Sequence, residues 1–181
     1  MLFNRLICFS SILFLALGCS NSNKPTELET TKPNKEQHIH HHTHTPHHGI
    51  EAKLYSKKQF AGIIELKLHD DKGDLELWLT NHDSAHSPLD LALDTKITVT
   101  FIYLNKKEVQ LQVRNTKNNE DEDGIGNIRK GKTNYFIFPG DRKEDSSFLI
   151  GKDFSAQVQL NFTHEGQVYQ SNTFELKPHV H

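Results

Sequence analysis

"IEAKLY" (residues 50–55), "GIIELKLH" (62–69) and "DLELWL" (74–79) alternate apolar and polar residues in three consecutive runs. A period of two sends successive side chains to opposite faces, so each run predicts a strand with one face buried. The same alternation returns in "KITVTFIYL" (96–104), "KEVQLQVR" (107–114), "NYFIF" (134–138), "SAQVQLNF" (155–162) and "QVYQSNTFEL" (167–176). Asp71-Lys72-Gly73, Asn105-Lys106, Pro139-Gly140-Asp141 and His164-Glu165-Gly166 stand between runs. These residue types favour hairpin-type turns. No helical period of more than about two turns competes. The expectation is an all-β fold, a single Ig-like β-sandwich of about eight antiparallel strands. It spans residues 49–181, enough chain for one core. Trp78, Phe101, Phe136, Phe138, Phe162 and Phe174 are its expected core aromatics.

The chain begins differently. Arg5 is followed by an apolar run from Leu6 to Leu17, then by Gly18-Cys19-Ser20. A short cationic start and about a dozen apolar residues describe an export signal. A membrane span needs roughly 20. "LALGC" (15–19) resembles the lipobox of bacterial lipoproteins, with a small residue at the cut and a thiol to alkylate. The resemblance implies a signal peptide at 1–18, cleavage before Cys19 and lipid on Cys19. Ser20 in place of Asp implies sorting to the outer membrane, with the protein facing the periplasm. Several acyl chains on one residue exceed the two-signal threshold for stable anchoring. The two cysteines are Cys8 and Cys19. One leaves with the signal and the other is acylated, so neither a disulfide nor a thiolate site is expected in the mature chain.

Residues 20–37, "SNSNKPTELETTKPNKEQ", hold one apolar residue, Leu28. Such a stretch cannot bury enough surface to repay its ordering entropy, and a flexible tether is expected. It runs into "HIHHHTHTPHH" (38–48), which places His38, His40, His41, His42, His44, His47 and His48 within eleven residues. Residues 19–48 therefore read as lipidated cysteine, linker and histidine-rich arm. Neutral imidazole binds Zn²⁺, Cu²⁺ and Ni²⁺. In an extended chain alternate histidines repeat on one side at about 6.7 Å. The competing reading is a solvated polar tract that serves only as spacer.

Three further constellations lie in the β region. "NHDSAH" (81–86) offers His82, Asp83 and His86 in a loop ahead of Pro88, as either a metal site or plain solvated residues. "PHVH" (178–181) ends the chain with His179 and His181. In an antiparallel sandwich both termini can share one end, which would carry these two towards the arm. "NEDEDGIGN" (119–127) sets Asn119, Asp121, Asp123, Gly124 and Asn127 at spacings that partly match an oxygen-donor calcium loop. Lys130 stands where an EF-hand has its bidentate Glu, and no helices flank the loop. An ordinary acidic loop is expected there, with calcium as the alternative.

The net charge of −2 leaves no basic footprint for nucleic acid. Ser146 and Ser147 carry no elbow motif, and neither a phosphate-cradling Gly loop nor H-E-x-x-H is present, so no enzyme is expected. With "HHGIEAKLYS", "LELWL" and "KITVTFIY" behind a lipobox, the chain resembles a group of bacterial His-rich lipoproteins with a small β-domain. More distantly, the domain is similar to the β-modules of heavy-metal efflux adaptors. The resemblance implies periplasmic handling of Zn, Cu or Ni, for buffering or relay, with an envelope protein or metal-efflux component as partner. The alternative is a non-enzymatic envelope interaction module that uses the arm as a spacer.

Overall fold

The alternation at 50–79 becomes a three-strand meander: β1 (Ile50–Ser56), β2 (Gln59–Leu68) and β3 (Leu75–Asn81). The structure is a computed structural model, and it describes residues 45–179. β4 (Leu91–Ala92), β5 (Ile97–Phe101), β6 (Lys107–Leu111), β7 (Ile128–Arg129), β8 (Lys132–Thr133) and β9 (Tyr135–Phe138) follow. β10 (Ala156–His164), β11 (Gln167–Ser171) and β12 (Phe174–Leu176) complete the set. Every expected run contains a strand. The rise from about eight to twelve has two sources. Three two-residue strands were too short to show a period, and Asn172-Thr173 divides the last run into β11 and β12.

All pairings between the strands are antiparallel. The main sheet runs β6-β5-β10-β11-β1-β2-β3-β9, with β12 also on β10, and β4-β8-β7 form a small second sheet. The main sheet rolls until its ends meet. Gln112 and Ile137 exchange both backbone bonds, at 3.0 and 2.8 Å, beside β6 and β9. Joining the two ends leaves little free edge, which protects a β-protein from pairing with other chains. The sandwich is thus nearly a closed barrel.

The inward residues of the alternation fill it. Leu54, Ile64, Leu66, Leu68, Leu75, Leu77, Val99, Phe101, Phe136 and Leu160 are all inaccessible. Gly62 makes the β2–β3 contact possible. A Cβ there would lie 2.1 Å from the carbonyl oxygen of Thr80. It sits at a bulge, where Leu54 pairs with Gly62 but Tyr55 with Phe60, leaving Ala61 extra. The β1–β2 turn is Lys57-Lys58, both at positive φ (49° and 66°), the geometry of a two-residue hairpin loop. Pro139-Gly140-Asp141 is not a hairpin turn. Residues Gly140–Arg142 form a short 3₁₀ turn that starts the crossing to β10.

The outward residues depart from expectation. Five consecutive residues of β2, Ile64 to Leu68, are buried, as are Leu75 to Leu79 of β3 and all of β9. Glu65, Lys67 and Glu76 are therefore buried rather than solvated. Trp78 is buried, but outside the main core. With Tyr135 and Ile137 it forms a small second cluster on this outer face.

Candidate functional site

The register of β2 on β3 sets Glu65 opposite Trp78 and Lys67 opposite Glu76. Leu68 pairs with Leu75, and the His69 N–H bonds the Asp74 carbonyl at 3.0 Å. Lys67 and Glu76 thus share one face with their neighbour His69. The 112–127 segment folds over it and is held by Asn119, which is wholly inaccessible. The Asn119 Oδ1 accepts the Arg114 N–H at 2.9 Å, and its Nδ2 donates to Thr133 Oγ1 (2.9 Å) and the Tyr135 carbonyl (2.8 Å). This latch brings Glu122 over the sheet.

Three side chains then converge. His69 Nε2 lies 3.1 Å from Glu76 Oε2 and 3.5 Å from Glu122 Oε2. One donor atom from each lies within 4.8 Å of the other two. The second oxygen of each carboxylate is taken. Tyr135 donates its hydroxyl proton to Glu76 Oε1, and Lys67 Nζ donates to Glu122 Oε1. A pocket of about 540 Å³ opens beside the group, with Asp70, Asp71 and Asp74 at its walls against Lys72 and Arg114.

Burial and pairing set the protonation states. The hydrogen bond to Glu76 pushes the His69 imidazole above its ordinary value of 6.5, against the opposing effect of burial. For Glu76 burial is the largest single influence and acts upwards. The hydrogen bonds from His69 and Tyr135, with the nearby positive charges, together outweigh it and hold the carboxyl below 4.5. Burial, then the Glu76 charge, raises Tyr135, so its hydroxyl stays a donor. A raised imidazole stabilises the fold fully below about pH 6.5 and loses that contribution as pH rises through its folded value. A lowered carboxyl contributes above about pH 4.5 and loses its share as pH falls through its folded value. In chelator-treated protein, the stability difference between wild type and His69→Gln is expected to be largest between these limits. Urea unfolding at stepped pH checks it; a difference constant from about pH 4 to about pH 9 would contradict the pairing.

The sequence candidates fall out as follows. Cys19, His38, His40, His41, His42, His44 and His181 lie outside the described residues. His47 and His48 lie against the domain. The N–H groups of His47 and Gly49 both donate to Glu65 Oε1 at 2.9 Å, which gives that buried carboxylate its partners. The His47 ring stacks on Trp78, centroids 4.0 Å apart and planes 2° apart. His48 and His179 rings stack at 5.5 Å, so the two ends of the domain do meet. His179 also bridges to His69 through its backbone, donating to the Leu68 carbonyl at 2.9 Å.

His82, Asp83 and His86 are in a loop but do not converge. His82 packs on Phe60 at 4.3 Å. Asp83 Oδ1 caps the N–H groups of Ala85 and Ser87. His86 lines a separate groove with His47 and Trp78. In the acidic loop the Asp121 oxygens accept from the N–H groups of Asp123 and Ile125 and from Asn127 Nδ2, while Asp123 is exposed. The Asp121 oxygens are thus turned to the loop's own donors, and Asn119 serves as the latch described above.

His69, Glu76 and Glu122 were not singled out by sequence. A signal existed for two of them: alternation through "LKLHDDKGDLELWL" places Lys67, His69 and Glu76 on the outer face of one hairpin. Glu122 lies in the acidic stretch 119–127, but nothing in that stretch pointed to His69, since a long loop delivers it. The chain was compared with protein-family models, curated proteins and solved structures, and none matches.

Proposed function

We propose that the protein is a lipid-anchored, non-enzymatic component of the bacterial envelope that binds transition metal ions through the histidines of residues 38–48. The anchor is Cys19, and the ions are Zn²⁺, Cu²⁺ or Ni²⁺, held for buffering or relay. One observation carries the reading: the arm enters the domain at His48, and there its ring meets His179 from the other end of the chain. An ion held at His48 has a further imidazole beside it at the domain surface, and His179 in turn sits beside His69. A spacer with no binding role gives no reason for histidines to gather at that junction.

Calorimetry on the full chain with each metal tests this at about pH 7.5 and about pH 5.5, since imidazole must be neutral to bind. Binding is expected at the higher pH and lost at the lower. The share of binding carried by the arm is also expected to be lost when the histidines at 38–44 and 48 are replaced by serine, and weakened in His179→Ala. Unchanged affinity without the arm histidines overturns the reading and favours an interaction module with a spacer.

A further inference from the structure

We infer that the domain carries a divalent-cation site of its own, built from His69, Glu76 and Glu122 and independent of the histidine arm. The donor spacing fits. A first-row ion sits about 2.0–2.2 Å from imidazole nitrogen or carboxylate oxygen, so neighbouring ligands stand roughly 3.0–3.5 Å apart in octahedral or tetrahedral arrangement. His69 Nε2 is 3.1 Å from Glu76 Oε2 and 3.5 Å from Glu122 Oε2. Both distances fall in the range of neighbouring ligands on one ion, and all three donors lie within 4.8 Å of one another.

The surroundings have the form of a ligand shell with its supports. Ligating carboxylates are held by outer hydrogen bonds that fix which oxygen faces the ion. Tyr135 holds Oε1 of Glu76 and Lys67 holds Oε1 of Glu122, and both Oε2 atoms turn to His69. Each ligand comes from a different element: the end of β2, β3 and the Asn119-latched loop. The adjoining pocket of about 540 Å³ leaves room for water at the remaining positions. Asp70, Asp71 and Asp74 add negative charge beyond that of the ligands, offset in part by Lys72 and Arg114.

The donor set names the class of ion. One imidazole and two carboxylates with no thiolate suit Zn²⁺, Co²⁺, Fe²⁺ or Mn²⁺, and do not suit Cu⁺. Three protein ligands with open positions differ from the closed four-ligand cages of purely structural zinc. The same residues also make a complete ion-pair network without metal, and the experiment separates the two.

Co²⁺ is the probe, because its visible absorption reports coordination. The full chain is used with the histidines at 38–44, 48, 179 and 181 replaced by serine, which leaves His47, stacked on Trp78, as the arm's remaining imidazole. One Co²⁺ per chain is expected, with a rise in melting temperature. His69→Gln and Glu122→Gln should each weaken binding at least about 10-fold, and Tyr135→Phe by about 10-fold or more through lost support of Glu76. Glu122 lies on the outer loop, so its variant keeps the fold if His69→Gln does not. Absence of Co²⁺ binding by calorimetry at millimolar metal, or binding unchanged in folded Glu122→Gln, overturns the site and leaves an ion-pair network. Neither result bears on metal binding by the arm, whose other histidines this background lacks.

Discussion

Asn119→Ala is expected to destabilise the domain by about 2–4 kcal/mol and to release the loop that carries Glu122. The side chain is wholly inaccessible and makes three hydrogen bonds to three different partners. Truncation leaves the Arg114 N–H and the Tyr135 carbonyl without the partner they have now. Leaving the buried Tyr135 carbonyl without that partner costs about 1–3 kcal/mol. Alanine is also a poor occupant of the backbone, which has φ of 50° here. Asparagine tolerates that left-handed region, whereas other L-residues pay about 1–2 kcal/mol. The loss is not confined to energy. Without the latch, Glu122 is no longer held against Lys67 and His69, and Lys67 keeps a buried charge with a weakened partner. Urea unfolding and amide exchange check both parts. The midpoint should fall, and the Asn127 N–H, now bonded to the Asn118 carbonyl at 3.0 Å, should exchange early. Loss of Co²⁺ binding should accompany that early exchange. An unchanged midpoint with a protected loop would mean that Asn119 does not hold it.

Legibility from sequence followed the range of the interactions. Alternation is local, so the strands at 50–56, 59–68 and 75–81 could be read from their own residues. The inward faces followed with them, because the core positions of β2 and β3 simply count in twos: Ile64, Leu66, Leu68 and Leu75, Leu77, Leu79. The outward face did not follow. A polar residue at an alternate position reads as solvent-facing, yet Glu65, Lys67 and Glu76 are buried because distant segments lie over them. Residues 45–49 cover Glu65 and Trp78, and the 112–127 loop covers Lys67 and Glu76. Nothing within a strand announces which loop will cover it. The same limit applies to the sites. Histidine density marked the arm, and antiparallel topology allowed the two ends of the domain to share one side, where the His48 ring stacks on that of His179. Glu122 stands 55 positions from Lys67 in sequence, a separation that no local pattern spans. The spacing around Asn119 pointed to an acidic loop with calcium as the alternative, and it carried no sign that this side chain bonds the distant Tyr135 carbonyl.

Phe101→Ala is expected to cost about 3–5 kcal/mol, a large share of the roughly 5–15 kcal/mol that holds a domain of this size. Phe101 is fully inaccessible and ends β5, paired with Val158 of β10 on one side and Lys107 of β6 on the other. Its ring meets Phe148 and Phe154 edge-on at 5.4 and 6.4 Å. Such aromatic pairs contribute about 0.5–1.5 kcal/mol beyond the area they bury. The cavity left by truncation cannot close readily, because β5 is fixed by its neighbours on both edges. The damage also travels. Phe148 lies within the chain at 146–151 and Phe154 just beyond it, and there the Ser146 hydroxyl donates to the Lys72 carbonyl and the Gly151 N–H donates to the Asp70 carbonyl at 2.9 Å. Those contacts set the β2–β3 turn that forms one wall of the cation pocket. Phe101→Leu refills most of the volume and should recover more than half of the stability. Phe148→Ala, at a half-buried ring, should cost clearly less than Phe101→Ala. Guanidinium unfolding of the three variants supplies the comparison. Equal losses for Phe101→Ala and Phe148→Ala would show that the aromatic contact, and not the cavity beneath β5, dominates the energetics at this end of the barrel.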